Sequence, residues 1–265
     1  MKWTALPFFL TLSSISYSDE MTLAVTTSFH NSGLSDVLLP EIKSDLDLDV
    51  HLLVVGTGQA LRLGASGDVD AILVHSKSAE EAFVDSAAGT HRTEIMYNDF
   101  VIVGPQSDPA TLSDAASAKD ALAAIQASGA LFVSRGDDSG THKKERALWA
   151  EAGFDPSEFK AHWYREVGSG MGASLNTASA MNAYILTDRA SWLKFGNKGD
   201  LEIQFQGDAA LFNQYAYLPV NAATFPHVNA EDAARLEAWL TSDAARDLID
   251  GYRLNGEVLF TFNTK

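Results

Sequence analysis

The apolar positions of this chain follow two periods in alternation. LAVTTS (23–28) is a β-prone run that stops at hydroxyls, and the NSGLSDVLLPEIK behind it sets Leu34, Val37, Leu38 and Ile42 at helical spacing. VHLLVV (50–55) predicts a strand running into GTG, QALRLGAS the next helix, and VDAILVH (69–75) another strand. SAEEAF (78–83) opens with Ser78 and Glu81 as a capping box. MYNDFVIVGP (96–105) reads as a long strand ending in Gly-Pro. Further along, SDAASAKDALAAI, HKKERALWAEAGF, MGASLNTASAMN and RASWLKF predict helices, whereas LFVS, AYILTD and AYLPVNAA (216–223) predict strands. EDAARLEAWLTSDAARDLIDGY closes the chain as an amphipathic helix pair. Repeated β-loop-α units imply an α/β fold of mainly parallel sheets flanked by helices, with right-handed crossovers.

Segments near 101–104 and 216–220 are placed to cross between two lobes, with 19–102 and 217–265 forming one and 103–216 the other. Residues 1–18, MKWTALPFFLTLSSISYS, read as a signal peptide: Lys2 near the start, an apolar run from Ala5 to Leu12, and Ser16 and Ser18 before a cut at Asp19. That run is too short to span a bilayer well, and no later stretch approaches the length, so a secreted, soluble chain is expected. The chain has no cysteine, which excludes disulfides, thiolate catalysis and a lipid-anchored cysteine. A formal charge of −16 argues against nucleic acid or anionic membrane as partner. It leaves room for a small anion, because aimed N–H groups in a dry cleft outweigh distant, screened carboxylates.

Candidate chemistry gathers where strands hand over to helices. TTS (26–28), GTG (56–58), SRGDDSGT (134–141) and GSGMGAS (168–174) each put hydroxyls or glycines at such a junction. Ligands of open α/β sheets bind beyond the carboxyl ends of strands, where helix N-termini offer unpaired N–H donors. One such turn is no more than a helix start, since Ser and Thr are common N-caps. Four in one chain, one carrying Arg135, point to an oxyanion. A guanidinium can grip a tetrahedral oxyanion with two hydrogen bonds, and Asp137 or Asp138 is placed to hold it.

Two other chemistries fit less well. GDDSGT resembles the surroundings of a serine-protease nucleophile at Ser139, and His51, His75 and His91 precede it. An extra aspartate interrupts that match, Thr141 stands where it needs glycine, and helix-forming KKERALW follows. The seven histidines form no His-x-His pair and no HExxH, so no metal site is expected. HKKER (142–146) reads as a solvated helix face, and Trp149, Trp163 and Trp192 as packing residues.

TTSFHNSGLSDVLLPEI, VGTGQAL, GDVDAILVHS, MYNDFVIVGP, SRGDDSGTHKKE, YREVGSGMGASL and AYILTDRASW together resemble the periplasmic tungstate-binding proteins of ABC transporters, within the type II solute-binding proteins. The resemblance implies a Venus-flytrap fold that clamps an oxyanion between its lobes and passes it to a permease driven by a separate ATPase. By motif match, Thr27, Ser28 and Thr57 would serve from one lobe; Arg135, Ser139 and Thr141 from the other, with N–H groups around Gly170, Met171 and Gly172. The residues alone leave open which of Thr26, Thr27 and Ser28 touches the ligand. The expectation is a monomeric periplasmic receptor for tungstate, with no cofactor, no metal beyond that in the oxyanion and no catalytic residue. Molybdate, sulfate or phosphate is the alternative in the same class; a hydrolase using Ser139, or a sensory domain, is the alternative outside it.

Overall fold

The computed structural model describes residues 19–137 and 139–264. The expected signal peptide therefore lies outside the described residues, as does Asp138. In chain order the elements are β1 (Asp19–Thr26), α1 (Thr27–Ser32), α2 (Leu34–Leu46), β2 (Leu48–Val55), α3 (Thr57–Ser66), β3 (Ala71–Val74), α4 (Lys77–Asp85) and β4 (Thr93–Pro105). They continue with α5 (Ala118–Ser128), β5 (Phe132–Ser134), α6 (Gly140–Glu151), β6 (Tyr164–Glu166), α7 (Met171–Met181), β7 (Tyr184–Asp188) and α8 (Arg189–Lys194). Last come β8 (Leu201–Phe205), β9 (Phe212–Pro219), α9 (Ala230–Leu240), α10 (Asp243–Gly251) and the short strands β10 (Arg253–Leu254), β11 (Glu257–Val258) and β12 (Thr261–Phe262).

The main sheet runs β2-β1-β3-β9-β4-β7-β5-β6. Its two outer groups are parallel: β1 pairs with β2 and β3, and β5 with β6 and β7. The antiparallel middle is made by the two long strands β4 and β9, which pair with each other from Asp99 and Phe212 outward. Beyond Asp99, β4 turns to β7 and β8. Each parallel group thus sends the carboxyl ends of its strands toward the middle of the molecule.

Burial follows the two groups. On the β1–β3 side, Val25, Leu38, Leu73, Tyr215, Leu236 and Ile249 pack one face against α2, α9 and α10, while Ala60, Ile72, Val74 and Phe83 pack the other against α3 and α4. On the β5–β7 side, Phe132, Leu122 and Trp149 fill one face and Val133, Leu175, Ile185 and Trp192 the other. Trp149, Trp163 and Trp192 are all buried packing residues.

Several local expectations are corrected. The helix expected after LAVTTS is two helices, because Gly33 takes φ +87°, where L side chains are strained, and its N–H closes on the His30 carbonyl. The N-cap position of α4 falls on Ser76 rather than Ser78, its side chain makes no capping bond, and the carboxylate that reaches back to the cap N–H is Glu80, not Glu81. HKKER is not a solvated face throughout: His142 and Glu145 are buried, and the Tyr164 hydroxyl donates to Glu145 at 2.7 Å. Strands β6 and β8 were not anticipated, and β9 starts at Phe212 rather than near Ala216.

Candidate functional site

The carboxyl ends of the parallel strands, with the helices that follow them, enclose one cleft of about 660 Å³. Thr27, Ser28 and Thr57 line one wall, and Arg135, Ser139, Thr141, Gly170, Met171 and Gly172 line the other. All nine residues singled out from the sequence share this cleft. They come together because each follows a strand end.

In the first turn, Thr26 is the N-cap of α1: its hydroxyl oxygen accepts from the Phe29 N–H at 3.2 Å. Thr26 also lies 3.0 Å from the Ser28 hydroxyl, which in turn lies 3.2 Å from both His75 Nε2 and the Tyr215 hydroxyl. Thr27 and Ser28 begin the helix and carry no capping duty. Across the cleft, Ser139 caps α6 by accepting from the His142 N–H at 3.2 Å. Its oxygen is thereby an acceptor, and the hydroxyl proton is directed to the Asp137 carboxylate. Helices α3 and α7 start at Gly56 and Gly170, neither of which can supply a side-chain cap. Their first-turn N–H groups are the orphan donors that a bound anion or water satisfies.

Arg135 leaves β5 directly into the cleft. Its Nε and terminal nitrogen donate to one Asp137 oxygen at 3.2 and 2.5 Å, while the other Asp137 oxygen accepts from the Ser139 N–H at 3.2 Å. Burial alone would raise the Asp137 pKa, but the Ser139 hydrogen bonds and the Arg135 guanidinium outweigh it and hold the carboxyl below its ordinary range. Asp188, at the end of β7, is buried and accepts from the Ser191 N–H at 2.8 Å as the N-cap of α8. Among the described residues, the two carboxylates lining the cleft, Asp137 and Asp188, thus each accept at least one hydrogen bond.

His75, Tyr215, Asp188 and Arg62 also reach or support the cleft and were not singled out from the sequence. Pairing of Val74 with Ala216 brings His75 beside Tyr215, and the rings pack 4.8 Å apart. Burial pulls the His75 pKa down to about 4, against the opposing hydrogen bond of Asn213, so the ring is neutral at ordinary pH. Burial pushes the Tyr215 phenol up to about 12. The sequence had offered His75 only as one of three histidines upstream of Ser139, and its place at the end of the run VDAILVH is the signal for a role in the cleft. Among the described residues, no three His, Asp or Glu side chains gather as a metal site would need. The floor and walls therefore offer hydroxyls, the basic side chains of Arg62, Arg135 and Lys143, and helix N-termini, a set that recognises an anion with oxygen acceptors.

Such a cleft between two α/β halves is the architecture of a solute-binding protein, and the sequence pattern of the PBP superfamily domain matches residues 16–244. The chain belongs to that superfamily and, within it, to the family of the tungstate-binding proteins TupA. It is 44% identical to TupA of Peptoclostridium acidaminophilum over 91% of this chain and 85% of that one. It is likewise 44% identical to a putative ABC transporter anion-binding protein of Haloferax volcanii, over 92% of this chain and 72% of that one. Among solved structures, TupA from Desulfovibrio alaskensis G20 matches with a TM-score of 0.88 and 42% identity, covering 93% of this chain and 100% of that one. The tungstate ABC transporter structure from Geobacter sulfurreducens matches with a TM-score of 0.79 and 44% identity, covering 89% and 100%.

Proposed function

We propose that this protein is a periplasmic receptor that captures a tetrahedral oxyanion, tungstate first, and delivers it to the permease of an ABC transporter. The observation that carries the reading is the convergence of Thr27, Ser28 and Thr57 with Arg135, Ser139 and Thr141 on one cleft. The named relatives, a tungstate-binding protein and an anion-binding protein of an ABC transporter, support the ligand class and the partner. The family is one of solute-binding transport proteins rather than of enzymes, and Ser139 has a structural duty as the cap of α6. Among the described residues no helix is long and apolar enough to cross a membrane.

The donor-rich lining supports a choice among anions. Tungstate and molybdate are doubly deprotonated near neutral pH, so every oxygen accepts. A phosphate that keeps a proton needs an acceptor, and the carboxylates of Asp137 and Asp188 each already accept from a backbone N–H. In this reading residues 19–102 with 217–265 close as one lobe on 103–216, about joints carried by β4 and β9. The pairing of Phe212 with Asp99 begins the stretch over which β4 and β9 run together. Calorimetric titration of the purified protein with tungstate, molybdate, sulfate and phosphate in one buffer tests it. Tight tungstate binding with sulfate and phosphate silent supports the reading, and molybdate binding tighter than tungstate moves the name within the class. Silence from all four sinks it.

A further inference from the structure

We propose that Arg62 is a further ligand-binding residue of the oxyanion site, a guanidinium of the first half that closes on the anion from the side opposite Arg135. This rests on the oxyanion reading above and adds a contact that none of the four strand-end turns contains.

Helix α3 starts at Gly56, which has no side chain to cap it, so its first N–H groups, at Thr57 and Gly58, find no partner there. Arg62 stands one turn further on, on the same face of the helix as Gly58. Long helical side chains lean back over the preceding turn, and this one does so: a terminal guanidinium nitrogen is 3.5 Å from where a Gly58 Cβ would stand. The guanidinium therefore lies over the bare first turn of α3. Gly58 and Arg62 both line the cleft beside Thr57.

That placement is unfavourable unless an anion joins it. The start of a helix is its positive end, where a cation is repelled rather than held. The chain carries 35 acidic residues against 19 lysines and arginines, so a counter-carboxylate is easy to find. Arg92, Arg135, Arg189, Arg235 and Arg246 each hold one. Arg62 is exposed, and among the described residues its guanidinium forms no ion pair and no hydrogen bond. Asp137 and Asp188 follow β5 and β7 in the other half, where they hold Arg135 and the start of α8. Among the described residues the lining thus carries three basic side chains, Arg62, Arg135 and Lys143, against two carboxylates, a formal excess of one positive charge. Without Arg62 the lining is neutral. A tetrahedral dianion resting on the N-terminus of α3 meets Thr57 and the Arg62 guanidinium from one half and Arg135 from the other, one guanidinium for each of its charges.

Calorimetric titration of the full protein and of Arg62→Gln with sodium tungstate tests this at two ionic strengths, about 0.02 and about 0.2 M, between which the Debye length falls from about 20 to about 7 Å. A guanidinium in contact with the anion is screened in neither buffer, so Arg62→Gln should bind about tenfold or more weakly in both, the effect of a deleted charge-assisted donor. Arg62 is exposed and bonded to no other described side chain, so the ligand-free melting temperatures should coincide. Labelling of wild-type arginines with phenylglyoxal, read residue by residue by mass spectrometry, gives a second measure. Tungstate should protect Arg62 and leave Arg146, which does not line the cleft, unchanged. Equal affinity of the two proteins in either buffer would overturn the proposal. So would a loss at low salt that vanishes at high salt, which marks a charge acting from a distance, or Arg62 labelled as fast with tungstate as without. Wild-type protein that binds none of the four oxyanions overturns the receptor reading as well, whereas wild-type affinity in Arg62→Gln removes only this arginine.

Discussion

The guanidinium of Arg135 lies 2.5 Å from an Asp137 carboxylate oxygen whose partner oxygen holds the Ser139 N–H. One aspartate thus fixes the Arg135 guanidinium and the loop that caps α6. Because the pair is only slightly exposed, its charge is poorly screened and its geometry is set before any ligand arrives. Replacing Arg135 with alanine removes a partly buried, charge-assisted donor, and oxyanion affinity should fall by about 2–5 kcal/mol. Arg135→Lys keeps the charge but loses the planar fork, so it should fall between the two. Calorimetry on the three proteins checks the order, and equal affinity across them would remove Arg135 from the site.

Gly140 has no Cβ at the point where His75 comes closest. A methyl there would sit 3.0 Å from the ring, tighter than ordinary contact, and the ring has Tyr215 behind it. Gly140→Ala should therefore weaken oxyanion binding by about 1–2 kcal/mol, the scale of mild overpacking. Because the glycine opens a helix, where alanine is favoured, the ligand-free melting temperature should hold. A titration with a thermal melt separates the two effects; unchanged affinity would mean that the first turn of α6 moves freely against His75.

Much of this site was legible because its parts are local. Thr57 and Arg135 each stand next to the end of an apolar run, and a strand end before a helix is a place where ligands bind whatever the rest of the fold does. Tyr215 could not be found that way. It supports Ser28 only because β9 pairs antiparallel with β3 and sets Ala216 against Val74, a register between residues more than a hundred positions apart. Glu145 misled for the same reason: it stands in a charged helical stretch, while its partner Tyr164 lies on a three-residue strand too short to announce itself. The capping box at α4 failed by a narrower margin, since serine and glutamate recur within a few residues and several pairings satisfy the pattern.

Glu80 is fully buried and does two things at once. Its carboxylate caps the Ser76 N–H at the start of α4 and accepts from Arg92 Nε at 2.7 Å. Burial raises its pKa, and the Arg92 hydrogen bond opposes that rise. Glu80→Ala would leave a nearly buried guanidinium with Glu94 as its remaining carboxylate and the α4 cap open. The unfolding free energy at neutral pH should drop by about 3 kcal/mol, as when one partner of a buried pair is removed. Urea unfolding measures this, and a loss below about 1 kcal/mol would mean that the site relaxes around Arg92.

Glu145 gives the fold a pH dependence that can be isolated. Burial raises its carboxyl from the ordinary 4.5 to about 7, although Tyr164, Ser134 and Trp149 hydrogen bonds pull the other way. The folded state therefore holds a proton that the unfolded chain releases at lower pH. The stability this contributes is complete below about pH 4.5 and is lost as pH rises toward 7. Glu145→Gln keeps a neutral group of the same shape and an oxygen to accept from Tyr164, and it does not titrate. The variant's stability relative to wild type should rise by about 3 kcal/mol between the two values and stay level above the upper one. Urea unfolding of both proteins from pH 4.5 to 8.5 reads the difference directly. A gap that does not change with pH would show that the Glu145 carboxyl ionises in the folded protein as readily as in the unfolded chain.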